Sequence, residues 1–431
     1  MGRVFNTTGV CIPEKHYMVN INGRLQQIKV LVDEGKYFTI NRARQYGKTT
    51  TLRALAEMLR DEYYVVLLDF QTFDNEKFSN GNVFSVAFAG SFLRVLRRNC
   101  KTMNNEMVSV IEEMKKDADY ANRYFSLKEL FEGLSDICEA ADRKIVLMID
   151  EVDSAANNQV FIDFLAQLRA QYLDREFYPG FQSVILAGVY DIKNLKRKLR
   201  PEEGHRYNSP WNIAADFSIE MSFSESEIAG MLQEYESDHR TGMNISKMSE
   251  LLYAYTAGYP FLVSRICQLM DERVRDEYEN LKLVWTENGF NEAVRILLAE
   301  KNPLFESLVG KICDYPELSV MLKTLLFTGR NIAYNPDETS IDMAQMFGFI
   351  KNQNGNVVIA NRIFETRLYN YYLTEAKMQQ TEIYKAALQD KSQFIVNGYL
   401  DMERKLLYRI QNKRSSKNRC NCRLSWTAIY N

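Results

Sequence analysis

No stretch of the 431-residue chain stays apolar for long. Runs such as Ile145 to Ile149 fall far short of the roughly 20 residues that cross a bilayer, so the chain reads as soluble, with no membrane partner. It does not open on a charged-then-apolar leader. Charge of one sign is also missing. The 54 Lys plus Arg against 56 Asp plus Glu give a formal net charge of −2, so the molecule is not built as a polycation for nucleic acid, and any basic surface must be local. Histidine is scarce, at three, and scattered. The seven cysteines, Cys11, Cys100, Cys138, Cys267, Cys313, Cys420 and Cys422, are an odd number, and only the last two lie close together. A four-ligand zinc site would need a second pair, so none is expected, and a reducing cytoplasm is the expected compartment. Internal repeats and low-complexity tracts are absent.

With 46% hydrophobic and 26% charged residues, disorder, collagen and small disulfide scaffolds are excluded. The length suits two or three domains of roughly 100 to 200 residues. Up to about residue 190, short β-rich runs alternate with amphipathic stretches, the pattern of a parallel sheet covered by helices. The expected strands are Tyr37 to Asn41, Tyr63 to Phe70, Lys144 to Asp150 and Gln182 to Ala187, each nearly continuous in apolar residues, as strands buried on both faces are. The expected helices span about 48 to 60, 80 to 99, 106 to 116, 126 to 141 and 157 to 173.

A polar, Pro-bearing stretch from Lys193 to Pro210 reads as a boundary loop. Ser224, with Glu225 and Glu227 behind it, is a helix start. Helices are expected through about residue 328, including 303 to 313 and 316 to 328. Then Phe347 to Lys351 and Val357 to Ala360 flank an Asn-Gly turn, the strongest short hairpin signal, and a helix follows near Phe364 to Ala376. Helices capped by such a hairpin describe a winged-helix module.

Two constellations carry chemistry. The first is Arg42-Ala43-Arg44-Gln45-Tyr46-Gly47-Lys48-Thr49-Thr50, between an expected strand and an expected helix. A phosphate loop needs a Gly for close approach, a Lys for the β and γ phosphates and a hydroxyl for Mg²⁺, and Gly47, Lys48 and Thr49 supply them. The full pattern also asks for Gly where Arg42 stands. Alone, the motif also fits an ordinary strand-to-helix turn. The second is Ile145-Val146-Leu147-Met148-Ile149-Asp150-Glu151, a buried strand ending in two carboxylates. It places Asp150 at the carboxyl edge of the sheet, where it can hold the Mg²⁺ shell, and Glu151 beside it to polarise a water. A strand running into a polar loop would look similar, but the two motifs together are rarely accidental.

Residues 37 to 52 (YFTINRARQYGKTTTL), IDEVD at 149 to 153, SPWNIAADF at 209 to 217 and AGYPFLV at 257 to 263 resemble prokaryotic AAA-like ATPases related to the archaeal-type and signal-transduction (STAND) NTPases. The resemblance covers about residues 5 to 375. It implies an α/β P-loop NTPase, a parallel sheet with helices on both faces, followed by a helical lid and a winged-helix module. The expected boundaries are 1–217 for the ATPase domain, 218–300 for the lid, 301–376 for the winged helix and 377–431 for a basic helical tail. The cofactors implied are ATP and Mg²⁺. Tyr46, Gly47, Lys48, Thr49, Thr50 and Pro260 would contact the nucleotide, Thr49 and Asp150 the metal, with Glu151 as base and Lys48 acting on the phosphates. The strand at 182 to 187 runs into Gly188-Val189-Tyr190-Asp191, without the Asn or Thr that commonly senses the γ-phosphate.

Weaker features remain open. Arg197, Arg200 and Arg206 are arginine-finger candidates or a solvated basic loop. Tyr17 is a candidate for the adenine pocket or for the core, and Asp69 a candidate neighbour of the metal site. From Arg404 to Arg423 there are eight basic residues and no acidic one, which fits either DNA contact or a solvated end. Relatives often continue into a domain similar to PD-(D/E)xK nucleases; Glu403-Arg404-Lys405 spells the E-x-K but falls in a helical pattern, so the end reads as truncated or divergent and nuclease activity is not expected. The function expected is ATP binding and hydrolysis coupled to lid and wing, with DNA, a protein or a second copy as partner. The rival is a non-hydrolysing nucleotide switch.

Overall fold

A computed structural model describes residues 2–99, 103–189, 211–277, 281–328 and 330–375, together with a short antiparallel pair at 395–396 and 399–400. Two-residue strands β1 (Val4–Phe5) and β2 (His16–Tyr17) pair in parallel ahead of helix α1 (Asn22–Asp33). The alternating part follows: β3 (Phe38–Asn41), α2 (Lys48–Leu59), β4 (Tyr64–Asp69), α3 (Gly81–Asn99), α4 (Asn105–Asp117), α5 (Leu127–Ala140), β5 (Ile145–Asp150), α6 (Gln159–Leu173) and β6 (Ser183–Gly188).

The four strands of this part, β3 to β6, form one parallel sheet in the order β3-β6-β5-β4. Every residue of β5 and β6 is buried, which is why these strands carry unbroken apolar runs and not an alternating pattern. The anticipated parallel sheet with flanking helices is therefore the architecture. Beside β4 and β5 the core is aromatic: Phe70 packs within 6.5 Å of Phe73, Phe78, Phe84, Phe88 and Phe161. Each such ring contributes roughly 1.5 to 3 kcal/mol by leaving water.

The segment after residue 210 covers the free edge of β3. Trp211 is fully buried and donates from Nε1 to Thr39 Oγ1 at 2.8 Å, Ala215 N–H donates to Tyr37 O at 2.8 Å, and Phe217 stacks on Phe38 at 5.8 Å. This accounts for the SPWNIAADF string as far as it lies within the described residues.

Further helices are α7 (Glu225–His239), α8 (Ile245–Thr256), α9 (Pro260–Leu269), α10 (Glu287–Ala299), α11 (Pro303–Asp314), α12 (Pro316–Lys323), which continues as a π-helical turn over Thr324–Thr328, and α13 (Thr339–Met346). Ser224 caps α7 in a full capping box with Glu227, as the sequence indicated. The hairpin follows as β7 (Ile350–Gln353) and β8 (Asn356–Ile359), with Asn354 and Gly355 both at positive φ, and α14 (Arg362–Thr374) closes the series. Its first strand begins three residues later than expected. Gly348 at φ 72° turns the chain out of α13, so Phe347 and Phe349 are buried in the turn and not along the strand.

The described residues divide into two compact units. One runs to Tyr253 and takes in Gly258–Gln268 and Met346–Gly348; the other holds Ala254–Ala257, Leu269–Gln345 and the residues from Phe349 onward. Among the described residues no helix is long and apolar enough to cross a membrane.

Candidate functional site

The site lies where β3 and β5 reach the carboxyl edge of the sheet. Between β3 and α2 the chain turns through two left-handed residues, Gln45 at φ 56° and Gly47 at φ 79°. Gly47 is the N-cap of α2 and its carbonyl accepts the first helical bond, from Thr51 N–H at 2.9 Å. The first N–H groups of a helix have no partner within it, so this turn presents donors and the positive end of the helix dipole to the space above.

Arg42, the departure from the phosphate-loop pattern, does not obstruct that space. Its φ is not positive, so a Cβ is tolerated there. Its guanidinium turns toward the edge segment, donating to Asn41 O at 2.9 Å and Ile219 O at 2.8 Å and lying 5.3 Å over the Phe217 ring.

Lys48 is buried and spans the loop, donating from Nζ to Arg42 O at 3.0 Å and Ala43 O at 3.1 Å. Burial pulls its pKa below the ordinary lysine value, against the opposing charges of Glu151, Asp153 and Asp150. Thr49 donates from Oγ1 to Asp150 Oδ2 at 2.6 Å. Asp150 is 4% exposed, and burial pushes its carboxyl above the ordinary carboxylate range in spite of the Thr49 bond. Glu151 follows in a left-handed conformation at φ 53°, its N–H donating to Asp150 Oδ1 at 2.9 Å. Burial raises its pKa as well, opposed by Lys48. A non-glycine residue held left-handed stores strain, and here two of them, Gln45 and Glu151, face one space.

That space is a cavity of about 360 Å³ lined by Tyr46, Gly47, Lys48, Thr49, Thr50, Glu151 and Pro260 among others. Asp150 is not on its surface; it stands behind Thr49. Tyr46 bonds Ser222 Oγ through its hydroxyl at 2.7 Å, and Thr50 Oγ1 accepts from Cys11 N–H at 3.2 Å. Pro260 is the first residue of α9. Tyr17 belongs to the core: it is buried, packs on Phe5 and Tyr235, and gives its hydroxyl to Asp238 at 2.8 Å. Asp69 pairs in register with Asp150 and uses Oδ1 to accept from Gln71 N–H at 2.9 Å. Arg197, Arg200 and Arg206, Cys420 and Cys422, and the basic tail from Arg404 lie outside the described residues.

Three contributors escaped the sequence reading. Residues 6–11 form part of the cavity wall. Asp153 caps the end of β6, accepting from Val189 N–H at 2.6 Å, and a Cβ on Gly188 would come within 2.8 Å of Asp153 Oδ1 and Val152 Cγ2. Tyr259 donates its hydroxyl to Arg44 O and packs edge-on against Tyr46 at 4.7 Å. Asp153 and Tyr259 sit inside the IDEVD and AGYPFLV strings, which was the signal available.

The donor set suits Mg²⁺. Thr49 Oγ1 and Asp150 Oδ2 are adjacent hard oxygens. Among the described residues no three His, Cys, Asp or Glu side chains cluster to hold a metal unaided. Mg²⁺ needs no such cage, since it commonly takes one or two protein oxygens and completes its shell with phosphates and water.

Residues 10–375 match the family model described as an AAA-like domain. Among solved structures, the chain is similar to a Walker-type ATPase of Pyrococcus abyssi at 13% identity and a TM-score of 0.57, over 84% of this chain and 99% of that one. The ORC2 protein of Aeropyrum pernix, in ADPNP–ADP complexes, aligns at 11% identity and a TM-score of 0.39, over 85% of this chain and 97% of that one. No curated protein matches. With the sheet order, the phosphate loop and the family match in hand, the chain belongs to the AAA-like domain family of P-loop ATPases.

Proposed function

We propose that the chain binds Mg²⁺·ATP in this cavity and hydrolyses the γ-phosphate. The observation that carries the proposal is the 2.6 Å bond from Thr49 to Asp150 beside a buried Lys48 that spans the loop. The helix N-terminus after Gly47 and the Lys48 ammonium bind the phosphates. Thr49 and Asp150 would hold the metal, which would neutralise charge on the phosphate oxygens. Glu151 takes the proton of the attacking water on its carboxylate, a task helped by burial, which raises its pKa above the ordinary glutamate value. Residues 1–217 are the ATPase domain, 218–300 a lid and 301–376 a winged helix, and nucleotide state couples to lid and wing.

The end of β6 favours a second reading, a switch that binds without turnover. Gly188 has no room for a side chain, and Val189 spends its N–H on Asp153, so no polar side chain at 188 or 189 meets the γ-phosphate. The hairpin and helix α13 are poorly equipped to bind DNA in either reading. Helix α13 carries Asp342 and no Lys or Arg, and Lys351 is the only cation from Phe347 to Ala360, too little charge to track a phosphate backbone.

Calorimetric titration with Mg²⁺·ATP tests the site. Lys48→Ala is expected to abolish binding while the protein stays folded, and unchanged affinity would remove the phosphate-loop assignment.

A further inference from the structure

One cation of the loop is not used by this chemistry. Arg44 is exposed, and among the described residues its guanidinium has no hydrogen bond or ion pair. Its near neighbour Arg42 is spent on two carbonyls and a ring. The root of Arg44 is nevertheless fixed. Its carbonyl accepts from the Tyr259 hydroxyl, Tyr259 is buried edge-on to Tyr46, and Tyr46 is tied to Ser222. The following residue, Gln45, is held left-handed. A rigid backbone therefore presents a free guanidinium from the same loop that carries Gly47, Lys48 and Thr49.

The charge stands on the site's own loop: Arg44 directly precedes Gln45 and Tyr46, which line the cavity, and lies three residues before Gly47. A guanidinium fork matches phosphate oxygens in two parallel bonds, whereas an ammonium acts as a point charge. Lys48 already spends two bonds on loop carbonyls, and β6 ends in a glycine that admits no sensing side chain. Among the described residues, the end of β6 offers no side chain to read the terminal phosphate, and an unengaged guanidinium stands on the loop.

We propose that Arg44 binds the terminal phosphoryl group in cis, so that the loop cradling the nucleotide also distinguishes ATP from ADP. This rests on the phosphate-loop reading above.

The test is calorimetric titration of the full chain with Mg²⁺ and either ADP or the non-hydrolysable imido analogue of ATP. Arg44→Ala is expected to weaken the analogue by about 10- to 100-fold, the worth of a charge-assisted bond, and to leave ADP unchanged. Arg44→Lys, which keeps charge without the fork, should recover part of the loss. Alanine keeps the carbonyl that Tyr259 bonds, so thermal unfolding should match wild type. Equal losses for both nucleotides, or no loss for the analogue, would overturn the assignment while the phosphate-loop reading stands. Wild-type protein binding neither nucleotide would overturn both.

Discussion

Replacing Gly258 with alanine should damage the site without touching a residue that lines it. Gly258 is held at φ 71°, and a Cβ there would lie 1.9 Å from Phe223 O and 2.9 Å from Phe223 N. Both neighbours are backbone, so no side chain can swing away. Left-handed alanine costs about 1 to 2 kcal/mol. Relief of the overlap breaks the 2.8 Å bond from Phe223 N–H to Gly258 O and draws Tyr259 off the Arg44 carbonyl, two bonds worth about 1 kcal/mol each. The sum is roughly 3 to 4 kcal/mol, which lowers a melting midpoint by roughly 6 to 16 °C in a unit of this size. Differential scanning calorimetry reads that shift, and nucleotide titration of the folded variant reads the loosened loop. Gly230→Ala is the control, since its Cβ meets nothing within 4 Å at an exposed position of α7 and should be neutral or stabilising. A Gly258→Ala midpoint within about 2 °C of wild type would refute the tether between the α9 entry and the phosphate loop.

Asp150→Asn should raise the melting midpoint of the metal-free protein at pH 8. A carboxyl whose folded pKa is raised contributes stability while protonated and loses it as pH rises through the folded value, so the advantage of the amide should shrink toward acid pH. A variant less stable than wild type at pH 8 would show that the Thr49 bond outweighs burial. Phosphate release should fall on acidification starting from a higher pH than an ordinary carboxylate would dictate, because Glu151 must be ionised to accept a proton and its pKa is raised. A steady-state pH–rate profile with its acid limb near the ordinary glutamate value would contradict this.

The elements legible in the sequence are those in which a side-chain period repeats. The strands at Phe38–Asn41, Tyr64–Asp69, Ile145–Asp150 and Ser183–Gly188 fall within a residue of their expected limits, because burial on both faces demands unbroken apolar runs. The Asn354-Gly355 turn was legible because two consecutive left-handed residues select that dipeptide. Strands β1 and β2 have two residues each and helix α13 only eight, too few for a period to register. In the site, the residue types of the loop and of the Asp-Glu strand were legible, since phosphate and metal chemistry restricts them. The direction of Arg42 was not, because it depends on Phe217 and Ile219, about 175 residues away along the chain. The tether through Tyr259 was hidden for the same reason, its partner Arg44 being 215 residues distant.

Phosphate release by Glu151→Gln, measured beside wild type at matched ATP saturation and with Mg²⁺, tests the hydrolytic role of the site most directly. The amide keeps the shape and the left-handed turn of Glu151 but removes the base. The expected result is ATP affinity equal to wild type with turnover reduced by about 10² to 10⁴. Equal turnover in the two proteins would remove Glu151 from the chemistry, and wild-type protein that binds ATP but releases no phosphate, with or without added DNA, would decide for the switch.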